Sequence, residues 1–372
     1  MTYREGSLIG RKIIFRTDAS IQIGSGHVMR CLNLAETMRF LGATCHFICR
    51  AHLGNLISLI IERGFQTSVL PAPTVRYINN KIRSRPQPNY SDWLGVEWHV
   101  DAYQTKNTIG DKTVDLIIVD HYAIDANWEK LLQDSCFHLV VIDDIANRQH
   151  SCNFLLDQNY EDIERYKKHV NQDCLLLLGP RYALLSKKYK ECRNLKMQKK
   201  NNINRIFVFF GNTDFHNTTE KALKALSIPA LIHLNVEIVI GVNYQFFESL
   251  NKLASSRRRV VIHKSLPDLA ELMNTCDLAI GAGGVCNWER ICVGLPSLVI
   301  AVAENQVPIS EMLHSQGIIK YLGEVNVVSI DSISGSLLDE IQLQEISNNA
   351  VRAMNLCDGL GVDRVISEII SI

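Results

Sequence analysis

The strongest candidate for acid–base chemistry lies in the segment RTDASIQIGSGHVMR, residues 16–30. A strand-like run ends at its start and a helix-like pattern begins near His27, so Gly24 and Gly26 fall in the intervening turn. In the first turn of a helix an imidazole is disfavoured as a cation, which keeps it neutral and able to accept a proton. We therefore predict that His27 is a general base. The alternative is that it only caps the helix.

Other residues of this segment would serve the same site. Unpaired backbone N–H groups in the first helical turn suit an anion or an oxyanion. We expect contacts to the substrate from Gly24, Ser25, Gly26 and Arg30. Asp18 lies two residues beyond Arg16 of the strand, and we expect its carboxylate to orient His27 or a water molecule. Met29 occupies the third glycine position of a G-x-G-x-x-G pattern, which argues against a dinucleotide site.

Polar side chains also follow two further apolar runs. Asp120, His121 and Tyr122 come immediately after one run, and the carboxyl end of a strand favours a ligand site over a core. For Asp120 and His121, pinning the following loop is an equally good interpretation. Asp143 and Asp144 follow the next run, where adjacent side chains of an extended segment point in opposite directions. These two carboxylates therefore favour loop capping over a metal site.

A glycine-rich turn in the second half is the most informative motif for ligand binding. Three glycines within the range 281–284 connect an apolar run to a helix-like segment, and their backbone N–H groups can wrap a diphosphate. The G-K-[ST] ending of a P-loop is missing. Glu289 lies about one turn into the helix, where its carboxylate can reach both hydroxyls of a ribose. The alternative for Glu289 is a surface residue that interacts with the helix dipole.

Two motifs carry weaker signals. The loop 209–214 ends the first strand of the second half, and its Gly211 and Thr213 can contact a phosphate or a sugar. Any turn from a strand to a helix favours glycine and asparagine as well. Asn305 and Gln306 follow a later apolar run, and their amides donate and accept the hydrogen bonds that sugar hydroxyls need. A helix N-cap is the alternative for Asn305.

These motifs need strands that place them along one edge of a sheet. Short runs rich in Val, Ile and Leu recur along the chain, each followed by a helix-like stretch. The runs are 12–16, 45–49, 115–119, 138–142, 174–178, 205–210, 236–240, 259–262, 277–280 and 297–302. They are nearly continuous rather than alternating, which is typical of parallel strands buried on both faces. The pattern predicts an α/β fold with parallel sheets.

The length of 372 residues exceeds what one simple core needs and predicts two domains. We assign residues 1–190 to an N-terminal domain with the catalytic loop and the sugar side of the site. We assign residues 191–372 to a C-terminal nucleotide-binding domain, whose last helix can cross back to the first domain. The polar, basic segment 186–204 is predicted as a linker, and 71–113 as an excursion from the first domain. Since ligands bind at the carboxyl ends of parallel strands, two such domains would face each other across a cleft.

Composition and charge limit the classes of function. The chain has 39 Lys+Arg and 39 Asp+Glu, and a net charge of zero gives no electrostatic footprint for nucleic acid. The apolar runs are far shorter than the ~18 residues of a membrane span, and the N-terminus lacks a secretory-type apolar core. Eleven cysteines without a C-x-x-C pair argue against a zinc site and a disulfide framework. We expect a protein of the reducing cytoplasm.

In their order along the chain, the motifs resemble those of the UDP-sugar hydrolases of the pseudaminic acid pathway. The matching segments are GSGHVMRCLNLA, WLGVEWHVDA, DHY, VIDD, LLGPRYALL, FGNTD, GAGG with NWER, GLPSLVI and AENQ. This resemblance implies the GT-B architecture, with two doubly wound Rossmann-like domains. It also implies hydrolysis of UDP-2,4-diacetamido-2,4,6-trideoxy-β-L-altropyranose to free sugar and UDP. We expect a monomer that takes this small-molecule substrate and uses neither a metal nor a cofactor.

The resemblance implies roles for individual residues as well. His27 is the family's base, Tyr122 faces the sugar, and Glu289 binds the ribose. The residues expected to hold the diphosphate are Gly211, Thr213, Gly281, Ala282, Gly283 and Gly284. The expected contacts to uracil are Leu266 and Leu269, and those to the sugar or its phosphate are Asn305 and Gln306.

The chain departs from the family pattern at a few positions. Val285 and Cys286 stand where we expect Ser or Thr in many relatives. We expect Asn287 to replace the hydroxyl contact to the phosphate. Asn212 occupies a glycine position of the FGNTD loop, and because Asn tolerates positive φ the turn can be kept.

Three other functions are compatible with these motifs. A GT-B glycosyltransferase would use the UDP-sugar as a donor, and UDP release without an acceptor excludes it. A hydrolysing 2-epimerase would also invert C2 of the sugar, which NMR of the product detects. A non-catalytic UDP-sugar binding module would consume nothing, and the GSGH turn argues against that interpretation.

Overall fold

The computed structural model describes residues 6–73, 90–195 and 203–371. The chain divides into two compact units, one formed by Met1–Leu184 with Leu360–Ile372 and the other by Leu185–Gly359. Among the helices within the described ranges, none is both long and apolar enough to cross a membrane.

Each unit is built on one parallel sheet. The strands of the first unit are β1 (Lys12–Thr17), β2 (Thr44–Arg50), β3 (Gln66–Leu70), β4 (Val114–Asp120), β5 (Cys136–Ile142), β6 (Phe154–Asp157) and β7 (Leu175–Leu178). Those of the second unit are β8 (Arg205–Phe209), β9 (Asn235–Ile240), β10 (Val260–Lys264), β11 (Leu278–Ala282), β12 (Ser297–Ala301) and β13 (Lys320–Glu324). The strand orders are β3-β2-β1-β4-β5-β6-β7 and β10-β9-β8-β11-β12-β13.

Helices follow most of these strands. In chain order they are α1 (Gly26–Phe40), α2 (Ile57–Glu62), α3 (Trp98–Ile109), α4 (Ala126–Leu132), α5 (Lys187–Leu195), α6 (Thr218–Leu226), α7 (Phe247–Ser255), α8 (Ala270–Thr275), α9 (Cys286–Cys292), α10 (Val307–Ser315), α11 (Ile330–Leu343), α12 (Glu345–Met354) and α13 (Gly361–Ile370). Within the described ranges, five short 3-10 helices connect these elements, and two of them, Tyr90–Leu94 and Glu304–Gln306, lie beside candidate site residues.

The sheet of the first unit is buried on both faces. Phe15 of β1 packs on one face in a cluster that contains Met38 of α1 and Val365 of α13. Its neighbour Ile14 points to the other face and joins a cluster around Trp128 of α4. Because successive side chains of a strand alternate in direction, both faces need apolar residues, and a nearly continuous apolar run results. The prediction of parallel strands covered by helices is confirmed.

In each unit the strand order reverses between two neighbouring strands. These are β1 and β4 in the first sheet, and β8 and β11 in the second. Such a switch point leaves a crevice at the carboxyl ends of the two strands, and ligands of open α/β sheets bind there. The loops that follow these four strands carry the GSGH, DHY, FGNTD and GAGG motifs.

Two predicted connecting segments are described in part. Within the segment predicted as a linker, Lys187–Leu195 is a helix, while residues 196–202 lie outside the described ranges. Within the predicted excursion, residues 74–89 lie outside them too. The remainder of the excursion forms the 3-10 helix Tyr90–Leu94 and helix α3, and Leu94 and Ala102 are buried in the core of the first unit.

Candidate active site

The turn between β1 and α1 places His27 at the carboxyl edge of the first sheet. Ser20 Oγ accepts hydrogen bonds from the backbone N–H groups of Gln22 (3.2 Å) and Ile23 (3.0 Å). Gly24 has φ +78°, a left-handed conformation that favours glycine, and its N–H donates to the Ser20 carbonyl. Helix α1 then begins at Gly26. His27 therefore lies in the first helical turn, as predicted.

The imidazole of His27 is oriented by Asp120 at the end of β4. Nδ1 of His27 lies 2.6 Å from Oδ1 of Asp120, and both side chains are buried. Because an ionised carboxylate only accepts, the proton is on Nδ1 and the lone pair is on Nε2. Among the residues that the structure describes, none forms a hydrogen bond with Nε2. This arrangement lets Nε2 accept a proton.

Arg30 keeps Asp120 ionised. Its Nε donates to Oδ2 of Asp120 (2.6 Å) and its Nη2 to Oδ1 (2.7 Å). Burial alone would raise the pKa of Asp120, but Arg30 and His27 lower it well below its usual range. Nη1 of Arg30 donates to Asp144 (2.9 Å), and the side chain is only 1% exposed. The prediction that Arg30 contacts substrate is therefore wrong, because its guanidinium is committed to two carboxylates.

The ring of Tyr122 contacts the imidazole of His27. Its ring meets the His27 imidazole edge-on with 4.5 Å between ring centroids. Its hydroxyl donates to Oδ1 of Asp144, and burial together with the Asp144 carboxylate raises the pKa of Tyr122 well above its usual range. The hydroxyl consequently stays protonated as a donor. Contact between Tyr122 and a sugar stays a prediction.

Asp18 occupies a different place from the one expected. Its Oδ1 accepts from the backbone N–H of Arg50 (2.6 Å) and pairs with Nη1 of Arg16 (2.8 Å). Its Oδ2 lies 3.4 Å from Nε2 of His121, whose Nδ1 accepts from the backbone of the following loop. The prediction that Asp18 orients His27 is wrong, since Asp120 makes that contact. Asp18 supports the loop that follows β4 instead. The alternative, that Asp18 orients a water molecule, stays a prediction.

Sequence reasoning missed the role of Asp144. Its neighbour Asp143 accepts from Ala146 N (3.0 Å) and Arg148 Nη1 (2.8 Å), which is the expected loop capping. Asp144 instead holds Tyr122 and Arg30 beside His27. The sequence contained a signal for this role. Adjacent side chains of an extended segment point in opposite directions, so one of the two carboxylates had to point toward the other loops at this edge of the sheet.

In the second unit the glycine turn follows β11. A Cβ atom at Gly281 would lie 2.4 Å from Nη1 of Arg290 and 2.7 Å from the Phe209 carbonyl. At Gly283 it would lie 2.5 Å from Oγ of Ser310. These two glycines are therefore required by close packing. At Gly284 the nearest atom would be 3.5 Å away, so this backbone can be approached by a ligand.

Amide side chains hold the turn rather than facing out of it. Asn287 donates to the Gly283 carbonyl (2.9 Å), accepts from Nη2 of Arg290 (2.6 Å) and is 1% exposed. Oε1 of Gln306 accepts from the backbone N–H groups of Gly283 (3.1 Å) and Val302 (3.0 Å). The prediction that Asn287 replaces a phosphate contact is wrong, because its buried amide is bonded within the turn. Only Oε1 of Gln306 is used in this way, so a contact between Gln306 and the sugar or its phosphate stays a prediction.

Glu289 has a spare acceptor. Its Oε2 is buried, and no hydrogen-bond partner for it is found in the described part of the chain. Burial raises the pKa of Glu289, while hydrogen bonds from Cys286 and Tyr189 act in the opposite direction. An unpaired buried acceptor typically costs about 1–3 kcal/mol, so a donor from a ligand would be stabilising. The ribose role of Glu289 stays a prediction.

The other predicted binding residues lie in loops at the carboxyl edge of the second sheet. Gly211 has φ +92° after β8, and Asp214 caps α6 through the N–H groups of Thr218 and Thr219. Five predicted residues share this edge and are half-buried or buried. They are Thr213 after β8, Leu266 and Leu269 after β10, Ala282 at the end of β11, and Asn305 after β12. Their contacts to a ligand stay predictions.

Comparison with known proteins supports the resemblance that the motifs indicate. No protein-family model matches the chain. It is 26% identical over 308 residues to the UDP-2,4-diacetamido-2,4,6-trideoxy-β-L-altropyranose hydrolase of Campylobacter jejuni, with 82% of this chain and 97% of that protein covered. It is 26% identical over 264 residues to the spore coat polysaccharide biosynthesis protein SpsG of Bacillus subtilis, with 69% and 76% covered. The similarity to the UDP-sugar hydrolases is confirmed.

Another curated relative is longer than this chain. An uncharacterized protein of Methanocaldococcus jannaschii is 26% identical over 306 residues, which cover 79% of this chain and 56% of that protein. The match therefore spans little more than half the length of that relative.

Solved structures show the fold class. The likeness to MurG of Acinetobacter baumannii has a TM-score of 0.62 at 14% identity and covers 97% of this chain and 100% of that one. For CalG4, the calicheamicin glycosyltransferase, the TM-score is 0.66 at 12% identity, with 97% and 98% covered. The predicted GT-B α/β fold, with two Rossmann-like units, is confirmed. At these identities the likeness shows the fold alone.

Proposed function

We propose that this chain hydrolyses UDP-2,4-diacetamido-2,4,6-trideoxy-β-L-altropyranose. Water attacks the anomeric carbon, the bond from that carbon to the UDP oxygen breaks, and the products are UDP and a free sugar of inverted configuration. One observation carries the proposal: Asp120 binds the Nδ1 proton of His27 and leaves Nε2 as a proton acceptor at the switch point of the first sheet. The name of the Campylobacter jejuni relative supports the choice of substrate.

In this scheme Nε2 of His27 takes a proton from the attacking water. The imidazolium that forms is stabilised by the Asp120 carboxylate, whose position Arg30 fixes through two hydrogen bonds. General base catalysis of this type typically contributes ~10²–10⁴-fold in rate. The proton then passes from Nε2 to solvent, which returns His27 to its starting state.

The leaving group departs as an anion and needs charge stabilisation more than a proton. We assign that stabilisation to backbone N–H groups of the glycine turn and of the loop that holds Gly211 and Thr213. Since the N–H of Gly283 is bonded to Gln306, the assigned donors in the turn are those of Gly284 and Val285. Glu289 would accept from the ribose hydroxyls, and Leu266 and Leu269 would contact uracil.

The proposal is tested by incubation with the UDP-sugar in H₂¹⁸O without any acceptor. We expect UDP release and ¹⁸O in the free sugar. An NMR spectrum recorded before the free sugar mutarotates should show the inverted anomer. Label in UDP would mean attack on phosphorus, and UDP release only after an acceptor is added would mean a glycosyltransferase. Either result contradicts the proposal.

A matched pair of histidine variants tests the base. His27→Asn should lower turnover by ~10²–10⁴-fold while UDP binds with nearly unchanged affinity, because the glycine turn is intact. His99→Asn alters an exposed histidine in the same unit and should leave turnover unchanged. Near-normal turnover of His27→Asn would contradict the role of His27.

A further inference from the structure

The excursion of the first unit brings two aromatic rings beside His27 that the proposed function does not use. The ring of Trp93 lies 6.2 Å from the His27 imidazole, measured between centroids, and stacks on Tyr122 at 5.6 Å. The ring of Tyr90 lies 4.9 Å from Trp93. Tyr122 is only 5% exposed, whereas Trp93 and Tyr90 are half-buried and so keep accessible surface.

The backbone next to Trp93 is tightly packed. Leu94 and Val96 are buried in the core of the first unit. Between them Gly95 has φ +76°, and a Cβ atom there would lie 2.8 Å from Cγ of Pro73 and 3.0 Å from Cε1 of His52. A side chain at position 95 is therefore excluded by conformation and by space. This packing fixes the position of Trp93.

A buried carboxylate ties the excursion to the edge of the sheet. Asp101 of α3 accepts from Nη2 of Arg16 (2.6 Å) and Nη2 of Arg50 (2.6 Å), which lie near the ends of β1 and β2. It also accepts from the indole N–H of Trp128 (3.0 Å). Residues that pack on a rigid scaffold are held in place before a ligand arrives, which increases selectivity.

An aromatic surface at this place selects by polarity. Contact between aromatic rings and methyl or C–H groups is favourable, whereas a hydroxyl placed against the rings loses its hydrogen bonds to water without replacing them. A sugar whose reacting carbon lies at Nε2 of His27 would be within reach of Trp93, because only 6.2 Å separate the centroids of the two rings. We propose that Trp93, with Tyr90 beside it, forms an apolar wall that selects a hexose with a methyl group at C5 over one with a hydroxymethyl group. This inference rests on the proposed function.

The test compares two UDP-diacetamido sugars that differ only in methyl or hydroxymethyl at C5. For the parent protein we expect kcat/KM to favour the methyl sugar by about tenfold or more, the usual range for one apolar group in a pocket. Trp93→Ala should bring this ratio close to one, and Trp93→Phe should keep most of it. The ratio does not depend on the fraction of folded protein, so a folding defect cannot produce the result.

Trp98→Ala serves as the control, because Trp98 lies on the same excursion, is 39% exposed and contacts His99. Its ratio should equal that of the parent. An unchanged ratio in Trp93→Ala would overturn the apolar wall alone. UDP release from neither sugar by the parent would overturn the proposed function itself, and the wall with it.

Discussion

The carboxylate of Asp120 lies 2.6 Å from Nδ1 of His27, although 93 positions separate the two residues in the chain. The pairing of β1 with β4 brings them together, since Asp120 is the register partner of Thr17 at the end of β1. Arg30 binds the same carboxylate from the next turn of the helix that carries His27. The proton position on the imidazole is therefore set by a neighbouring strand.

Asp120→Asn should lower kcat for UDP release by ~10²–10⁴-fold, because an amide at this position can donate to Nδ1 and move the imidazole proton to Nε2. Steady-state assays of UDP measure the effect, and calorimetric titration with UDP should show unchanged affinity. Asp134→Asn changes an exposed carboxylate of the same unit and serves as the control. A kcat within a factor of two of the parent would exclude the orienting role.

Arg30→Gln should destabilise the protein by about 3–5 kcal/mol, because Asp120 and Asp144 then lose a buried counter-charge. Urea denaturation measures the free energy of unfolding. Arg11 offers a surface comparison: it pairs with Asp115 at 2.6 Å but its side chain is 60% exposed, so Arg11→Gln should cost less than about 1 kcal/mol. Equal stabilities of the two variants would contradict the structural role of Arg30 and favour the substrate contact predicted from the sequence.

His150 should make stability depend on pH. Burial alone would lower the pKa of His150, but the carboxylates of Asp143 and Glu129 raise it to about 9. Because the pKa in the folded state is above the unfolded value, this stabilisation is fully present below about pH 6.5 and is lost as the pH rises through about 9.

His150→Gln should therefore be less stable than the parent at pH 6, by on the order of 2–3 kcal/mol, with a smaller difference at pH 9.5. Urea denaturation of both proteins at several pH values measures this change. A stability difference that is independent of pH would mean that His150 contributes through packing rather than through its charge.

Strands were predicted where the sequence contains a nearly continuous apolar run. Runs such as 115–119 and 138–142 were found because both of their faces are covered and both need apolar residues. β3 and β13 were missed because their sequences, QTSVL and KYLGE, contain no apolar run longer than two residues. β6 was missed although it is fully buried, because only three apolar residues, Phe154–Leu156, stand in its four-residue sequence.

The same limit applied within the candidate site. His27 and the glycine turn could be predicted because each depends on a local transition from a strand to a helix. Asp18 was predicted to orient His27 and Asp120 was not, although both residues follow apolar runs. Strand order and register decided between them, and these come from long-range contacts that no local pattern contains.

Glu289 allows a test of the second unit that does not depend on catalysis. Its Oε2 is a buried acceptor without a partner in the described residues, and it lies one turn beyond a glycine turn that Asn287 and Arg290 hold in shape. If ribose hydroxyls donate to this carboxylate, Glu289→Gln replaces one acceptor oxygen by a donor. We expect UDP to bind about tenfold more weakly, which corresponds to about 1.4 kcal/mol.

Calorimetric titration of the purified protein with UDP measures this loss. Titration with pyrophosphate, which has no ribose, separates ribose contacts from phosphate contacts, because Glu289→Gln should bind pyrophosphate as tightly as the parent does. Glu271→Gln provides the control, since Glu271 is a glutamate of the same unit whose side chain is 83% exposed. Equal UDP affinity of Glu289→Gln and Glu271→Gln would contradict the prediction that Glu289 binds the ribose. A loss for both UDP and pyrophosphate would instead mean that the variant disturbs the glycine turn, because both ligands share only the phosphate groups.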